Sequence, residues 1–190
     1  MEAFRIEGGV PLSGRIRVSG NKNEALPALA CALLTDEPVV LDNVPDIIDV
    51  RVMLDIMRQL GTQVTYEGPN RLLLHTPELK TTRIPADLGR RVRASILFLG
   101  PLIGRAGTVD LPPPGGDVIG RRRLDTHFDG LEQLGARFQP GNTYRLNASK
   151  LVGVDMFLDE ASVTATENLL MAAAAAEGTS AESAAEPPTQ

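Results

Sequence analysis

The strongest constraint on this chain is that it repeats itself. The stretch ALPALACALLTDEPVVLDNVP (25–45) corresponds to RASILFLGPLIGRAGTVDLPPP (93–114), and both correspond to TENLLMAAAAAEGTSAES (166–183). Each starts as an apolar helical run. The first breaks at Asp36-Glu37-Pro38, the others at Gly107 and Gly178. In the first two copies a short strand follows, Val39 to Leu41 and Thr108 to Leu111. The second halves also correspond. Val50, Met53, Leu54, Met57 and Leu60 recur at helical spacing before Gly61; Leu124, Phe128, Leu131 and Leu134 do so before Gly135, 74 residues further on (61 to 135). Each glycine is placed to end its helix, and each is followed by strand, turn (EGPN or QPGN) and strand.

One unit is therefore helix, strand, helix, hairpin, and its repetition predicts an α/β domain. The expected units run over about 21–80 and 81–150, with a partial third over 151–179. After Gly178 the sequence TSAESAAEPPTQ has no β-branched apolar core residue, so residues 180–190 are expected to be a disordered tail and the third unit truncated. Cys31, inside an apolar helix, is expected to pack in the core.

Bulk properties exclude several classes. A hydrophobic fraction of 43% with 23% charged residues suits a globular protein, and a net charge of −5 argues against a general nucleic-acid surface. The single cysteine allows no disulfide within the chain and fits a reducing, cytoplasmic setting. MEAFRIEGG does not read as a signal peptide, and no apolar run reaches membrane-spanning length. Two histidines and one cysteine are scattered without metal-ligand spacing, and neither a P-loop nor a dinucleotide-binding glycine motif is present, so no metal or cofactor is expected.

Three segments carry candidate chemistry. SGNKNEALPAL (19–29) puts Lys22 and Asn23 at a helix entrance, where free N–H groups and a cation favour an anion; Ser19, Asn21 and Asn23 are candidate caps. LGRRVRASI (88–96) puts Arg93 at the related place in the second unit, so that two cationic helix starts are placed to face one anionic ligand; solvated surface charge is the competing reading. LPPPGGDVIGRRRLD (111–125) makes a connection that its sister unit makes with the shorter NVPDIID, which marks it as a candidate functional loop. Asp117 there suits an acid, a base or a cap. Asp125 suits a cap or a hydroxyl ligand, and His127 taken alone reads as structural or surface.

SGNKNEALPAL, VRASILFLGPL, PGGDVIGRRRLDTHFDGLEQLGA and DEASVTATENLLMAAAAAEGT resemble, in order, the motifs of the UDP-N-acetylglucosamine 1-carboxyvinyltransferase family, within the enolpyruvyl transferase superfamily. The resemblance runs from about Phe4 to about Thr179. It implies transfer of enolpyruvate from phosphoenolpyruvate to the 3-hydroxyl of UDP-N-acetylglucosamine, the first committed step of peptidoglycan synthesis. It also implies a fold of two inside-out α/β barrels with the substrates between them. This chain then supplies most of one domain, and residues 1–20 form a strand segment that packs on the second. Residue by residue, the resemblance assigns Lys22 and Asn23 to phosphoenolpyruvate and Arg93 to the UDP-sugar. Arg122 falls near phosphate, and Arg122, Arg123, Leu124, Asp125 and Thr126 form the uridine-contacting segment. Glu160, Ala161, Ser162 and Val163 form a second nucleotide contact. Glu160 stands where the family often has lysine, and Arg123 where proline is common. Asp117 stands where the family usually has the cysteine that donates a proton to phosphoenolpyruvate.

The resemblance also places the family's catalytic aspartate, and the arginines that grip phosphoenolpyruvate from the opposite side, beyond residue 190. The chain alone is then expected to be inactive without that second domain. The alternative is a non-catalytic remnant or a nucleotide-sugar-binding module.

Overall fold

The computed structural model describes residues 3–115, 123–139 and 141–184. Asp117 and Arg122 of the Pro-Gly loop lie outside these residues. The first unit comprises α1 (Lys22–Cys31), a 3-10 turn (Ala32–Leu34), β1 (Val39–Leu41), α2 (Ile48–Leu60) and the hairpin β2 (Gln63–Gly68) and β3 (Arg71–His75). The second comprises α3 (Ala86–Gly89), a 3-10 helix (Arg93–Phe98), α4 (Leu99–Ala106), β4 (Thr108–Leu111), α5 (Asp125–Gln133) and the hairpin β5 (Arg137–Gln139) and β6 (Tyr144–Asn147). The third holds β7 (Asp155–Leu158), α6 (Val163–Ala174) and β8 (Ala181–Ala184).

The repeat extends to single hydrogen bonds. Gly61 ends α2 with φ 117°, and Gly135 follows α5 with φ 104°, a conformation that costs other residues strain. Gly61 N–H donates to the Arg58 carbonyl and Thr62 N–H to that of Met57; Gly135 and Ala136 make the same pair of bonds to Glu132 and Leu131. Lys80 N–H then binds the Leu60 carbonyl, as Val152 N–H binds that of Leu134, both at 2.9 Å. The sheets match too, ordered β1-β3-β2 and β4-β6-β5 and antiparallel throughout.

Helices fill the centre and sheets lie outside, as the inside-out α/β expectation requires. α2 buries all five residues named from its periodicity, whereas β2 leaves four of its six positions exposed. α6 buries Ala165, Asn168, Leu169, Met171 and Ala172. Two glycines let other helices reach it. A Cβ on Gly100 of α4 would sit 2.3 Å from the Asn168 carbonyl oxygen, and one on Gly130 of α5 would sit 2.5 Å from a Leu169 methyl.

Three expectations need correction. The tail expected to be disordered contains β8, which pairs in parallel with β7, Asp155 opposite Ala181 through Leu158 opposite Ala184. A ladder partner overrides the low strand propensity of Ala-Glu-Ser-Ala, and Thr166 adds a hydroxyl bond to the Glu182 carboxylate. The helix-first order of the unit also omits a strand: within the expected bounds β7 precedes α6, and in the second unit Arg83 bridges in parallel to Asp110 of β4. Residues 3–20, part of the 1–20 segment expected to pack as a strand on a second domain, pair with no strand among the described residues, which does not contradict that expectation. Their alternating Phe4, Ile6, Val10, Leu12, Ile16 and Val18 are 75–98% exposed. Cys31 is exposed, because α1 turns Leu26, Leu29 and Ala30 to the core instead.

Arg105, at the end of α4, fastens the second unit to the first. Its guanidinium donates to the carbonyls of Leu33 (3.0 Å), Thr35 (2.8 Å), Thr76 (2.6 Å) and Pro77 (3.3 Å). A planar fork of donors suits four fixed acceptors, and an ammonium does not. Arg105→Ala strands these carbonyls, and urea unfolding is expected to show a loss of about 2–4 kcal/mol. Arg105→Lys is expected to recover less than half of it.

Candidate functional site

A cleft of about 630 Å³ opens where the helices begin. Lys22 and Asn23 enter it from the first turn of α1, Asp49 from the first turn of α2, and Arg93 from the start of its 3-10 helix. Arg123 comes from just ahead of α5, and Ser162, Val163 and Thr164 from the cap and first turn of α6. The repeat causes this convergence, since each unit turns its helix N-termini the same way. N-terminal N–H groups carry partial positive charge, so the mouth is electropositive before any side chain is counted.

Lys22, Asn23, Arg93, Arg123, Glu160, Ser162 and Val163, all named from the sequence, line this one cleft. Leu124, Asp125, Thr126 and Ala161 do not. Thr126 is buried, and its hydroxyl has no hydrogen-bond partner among the described residues. Arg93 starts a 3-10 helix rather than an α-helix, and it lines the same cleft as Lys22.

The charges are tied. Lys22 Nζ lies 2.7 Å from the Asp49 carboxylate. Arg93 donates to the Arg123 carbonyl at 3.4 Å. The Arg123 guanidinium holds Asp125 at 2.7 Å and Asp159 at 2.8 Å, with Glu160 at 3.6 Å. Hydrogen bonding from Arg123 holds the Asp125 carboxyl below its usual range, and the same partners raise Arg123 further. Glu160 therefore stands beside a cation of its own chain. Burial pushes Glu167, also on the cleft wall, upward. Asp129 is raised as well, by burial and then by neighbouring carboxylates.

Sequence reasoning missed Asp49, Arg91, Thr164 and Glu167 as cleft residues. Asp49 had a signal, because it lies 74 residues before Arg123 and so holds the equivalent place in its unit. Thr164 had none, since its neighbour His127 is 37 positions away. His127 itself is structural. It is 1% exposed, and its ring nitrogens meet the Asn168 side-chain amide at 2.9 Å and the Thr164 hydroxyl at 3.3 Å.

Burial, helped by the Arg93 charge, lowers the His127 pKa from 6.5 to about 4. The unfolded chain therefore binds a proton that the folded chain refuses between these values, so stability falls as pH drops through this window. Between pH 7 and 4.5 this one group is expected to remove about 2 kcal/mol. Urea unfolding of wild type and His127→Gln at both pH values measures it: the acid loss should be smaller in the variant by about that amount.

The inward helices, outer sheets and shared mouth define the fold of enolpyruvyl transferases. The structure superposes on the enolpyruvyl transferase NikO from Streptomyces tendae with a TM-score of 0.74 at 26% identity, over 91% of this chain and 41% of that one. An EPSP synthase from Acinetobacter baumannii gives 0.71 at 17% identity, which shows the fold alone, over 93% and 41% of the two chains. The family model for EPSP synthase (3-phosphoshikimate 1-carboxyvinyltransferase) matches residues 6–188, and the chain belongs to that family. Within it, the chain is 58% identical over 178 residues to the UDP-N-acetylglucosamine 1-carboxyvinyltransferase of Treponema pallidum (strain Nichols), covering 94% of this chain and 42% of the relative. It is 53% identical over 192 residues to the protein of the same name from Treponema denticola (strain ATCC 35405), covering 100% and 45%. The chain thus spans less than half the length of these relatives. No helix among the described residues is long and apolar enough to cross a membrane.

Proposed function

We propose that the cleft is one wall of a UDP-N-acetylglucosamine 1-carboxyvinyltransferase site. The observation that carries this reading is that residues from four separated motifs, Lys22 and Asn23, Arg93, Arg123, and Glu160 with Ser162 and Val163, line a single cleft. Similarity to relatives bearing that name supports the choice of substrates. Arg93, with Arg122 and Arg123 and with Glu160, Ser162 and Val163, holds the UDP-sugar, and Lys22 and Asn23 hold phosphoenolpyruvate. Lys22 exchanges its bond to Asp49 for the substrate's negative charge. Enolpyruvate goes to the sugar 3-hydroxyl and phosphate leaves.

Asp117 supplies the proton to the methylene carbon of phosphoenolpyruvate. A carboxyl must keep its proton near neutral pH to do this, and a closed, water-poor site beside bound phosphate favours the protonated form. Orientation and charge stabilisation need both walls of such a cleft, so a second domain completes the reaction in this reading.

Calorimetric titration of the chain with UDP-N-acetylglucosamine is expected to show saturable binding that Arg93→Ala weakens about tenfold, the loss of one charge-assisted contact. Absence of binding to the wild-type chain would refute the nucleotide-sugar reading. A carboxylate attacks an epoxide far less readily than a thiolate does. Peptide mass measurement after incubation with fosfomycin and UDP-N-acetylglucosamine is therefore expected to show no adduct at Asp117, and a covalent product there overturns the expectation that its carboxylate resists the epoxide.

A further inference from the structure

Behind the cleft wall lies a chain of polar groups whose direction is fixed from its inner end. Gly100 N–H can only donate, and it donates to Asn168 Oδ1 at 2.9 Å. The Ile96 carbonyl can only accept, and it accepts from Asn168 Nδ2 at 2.8 Å. These two backbone groups leave the Asn168 amide one orientation, with its nitrogen also 2.9 Å from His127 Nδ1. Nδ1 must then accept, so the proton of the neutral imidazole sits on Nε2. Nε2 is 3.3 Å from Thr164 Oγ1, which therefore receives the bond. The hydroxyl's own hydrogen is left over. Thr164 is exposed on the cleft wall, in the first turn of α6.

We propose that His127 is a positioning residue that commits the Thr164 hydroxyl to donate its hydrogen into the cleft, toward an acceptor oxygen of the bound ligand. With the reading above, on which this part rests, the acceptor is an oxygen of the nucleotide sugar. His127 and Asn168 are 1% and 0% exposed, so water does not scramble the direction of the chain. Arg93, facing His127 from the neighbouring 3-10 helix, further opposes a second proton on the ring. A ring with both nitrogens protonated would have to break its bond from Asn168. Thr164 is thus a specificity device: it favours an acceptor at its place in the ligand and disfavours a donor there.

Two measurements on the chain test this. Long-range proton–nitrogen spectra at pH 7 are expected to show His127 with Nε2 protonated and Nδ1 bare; the opposite tautomer, or a doubly protonated ring, overturns the proposal whatever the ligand is. Calorimetric titration with UDP-N-acetylglucosamine is expected to show about tenfold weaker binding in Thr164→Val and near-wild-type binding in Thr164→Ser. Equal binding by wild type and Thr164→Val overturns the ligand contact. In a double-mutant cycle, His127→Leu is expected to weaken binding in the wild-type background and not in Thr164→Val, a pattern that loss of packing alone does not give. A wild-type chain that binds no nucleotide sugar sinks the substrate reading and the assigned acceptor together, while the tautomer still decides the polarity of the chain.

Discussion

Asn168 has no exposed surface and makes three hydrogen bonds, to the Gly100 N–H, the Ile96 carbonyl and the His127 ring. Those partners belong to α4, to the 3-10 helix before it and to α5, while Asn168 belongs to α6. One amide therefore fixes the third unit's helix against three helical segments of the second. The bonds require close approach, and Gly100 allows it because any side chain there would collide with the Asn168 backbone. A buried polar group without a partner costs more than an ordinary hydrogen bond contributes, so the four groups hold their positions jointly or not at all. The place of Ser162, Val163 and Thr164 at the mouth follows from the depth at which Asn168 sits on the same helix.

The mouth shows what repetition does for chemistry. Each copy of the unit turns its helix starts the same way, and five segments bring their positive ends together without any one of them being built for the purpose. Lys22, Arg93 and Arg123 add full charges, and Asp49, Asp159 and Glu160 hold two of them in place. An anionic ligand entering here exchanges internal ion pairs for its own charge. The pairs are partly exposed and weak, so the exchange is inexpensive.

Much of this was legible in the sequence, for local reasons. Strands Val39–Leu41 and Thr108–Leu111 are bracketed by Pro38 or Gly107 and consist largely of branched residues. Helix ends at Gly61, Gly107 and Gly135 follow from left-handed backbone that glycine adopts without strain. Those motif residues that line the cleft, such as Lys22, Arg93 and Ser162, sit at helix starts, where spacing and capping leave a pattern. What escaped depends on distant neighbours. β8 exists because β7 pairs with it, and its four residues carry no strand signal of their own. Cys31 is exposed because its helix faces the core with other residues. Thr164 acquires a direction only through His127 and Asn168, a relation that no window of sequence contains.

The Arg105 clamp bears on the order in which the molecule can be completed. A ribosome releases residues 33, 35, 76 and 77 well before residue 105. Until then the four carbonyls that Arg105 gathers must be satisfied by water. The first unit can pair its hairpin early, because that ladder is its own, whereas α2 also packs on α3 and the 3-10 helix of the second unit. Its rim closes only when the following unit has wound α4 and delivered the guanidinium. The first copy is thus sealed by a residue of its successor, so its rim cannot be complete on the ribosome before residue 105 has emerged.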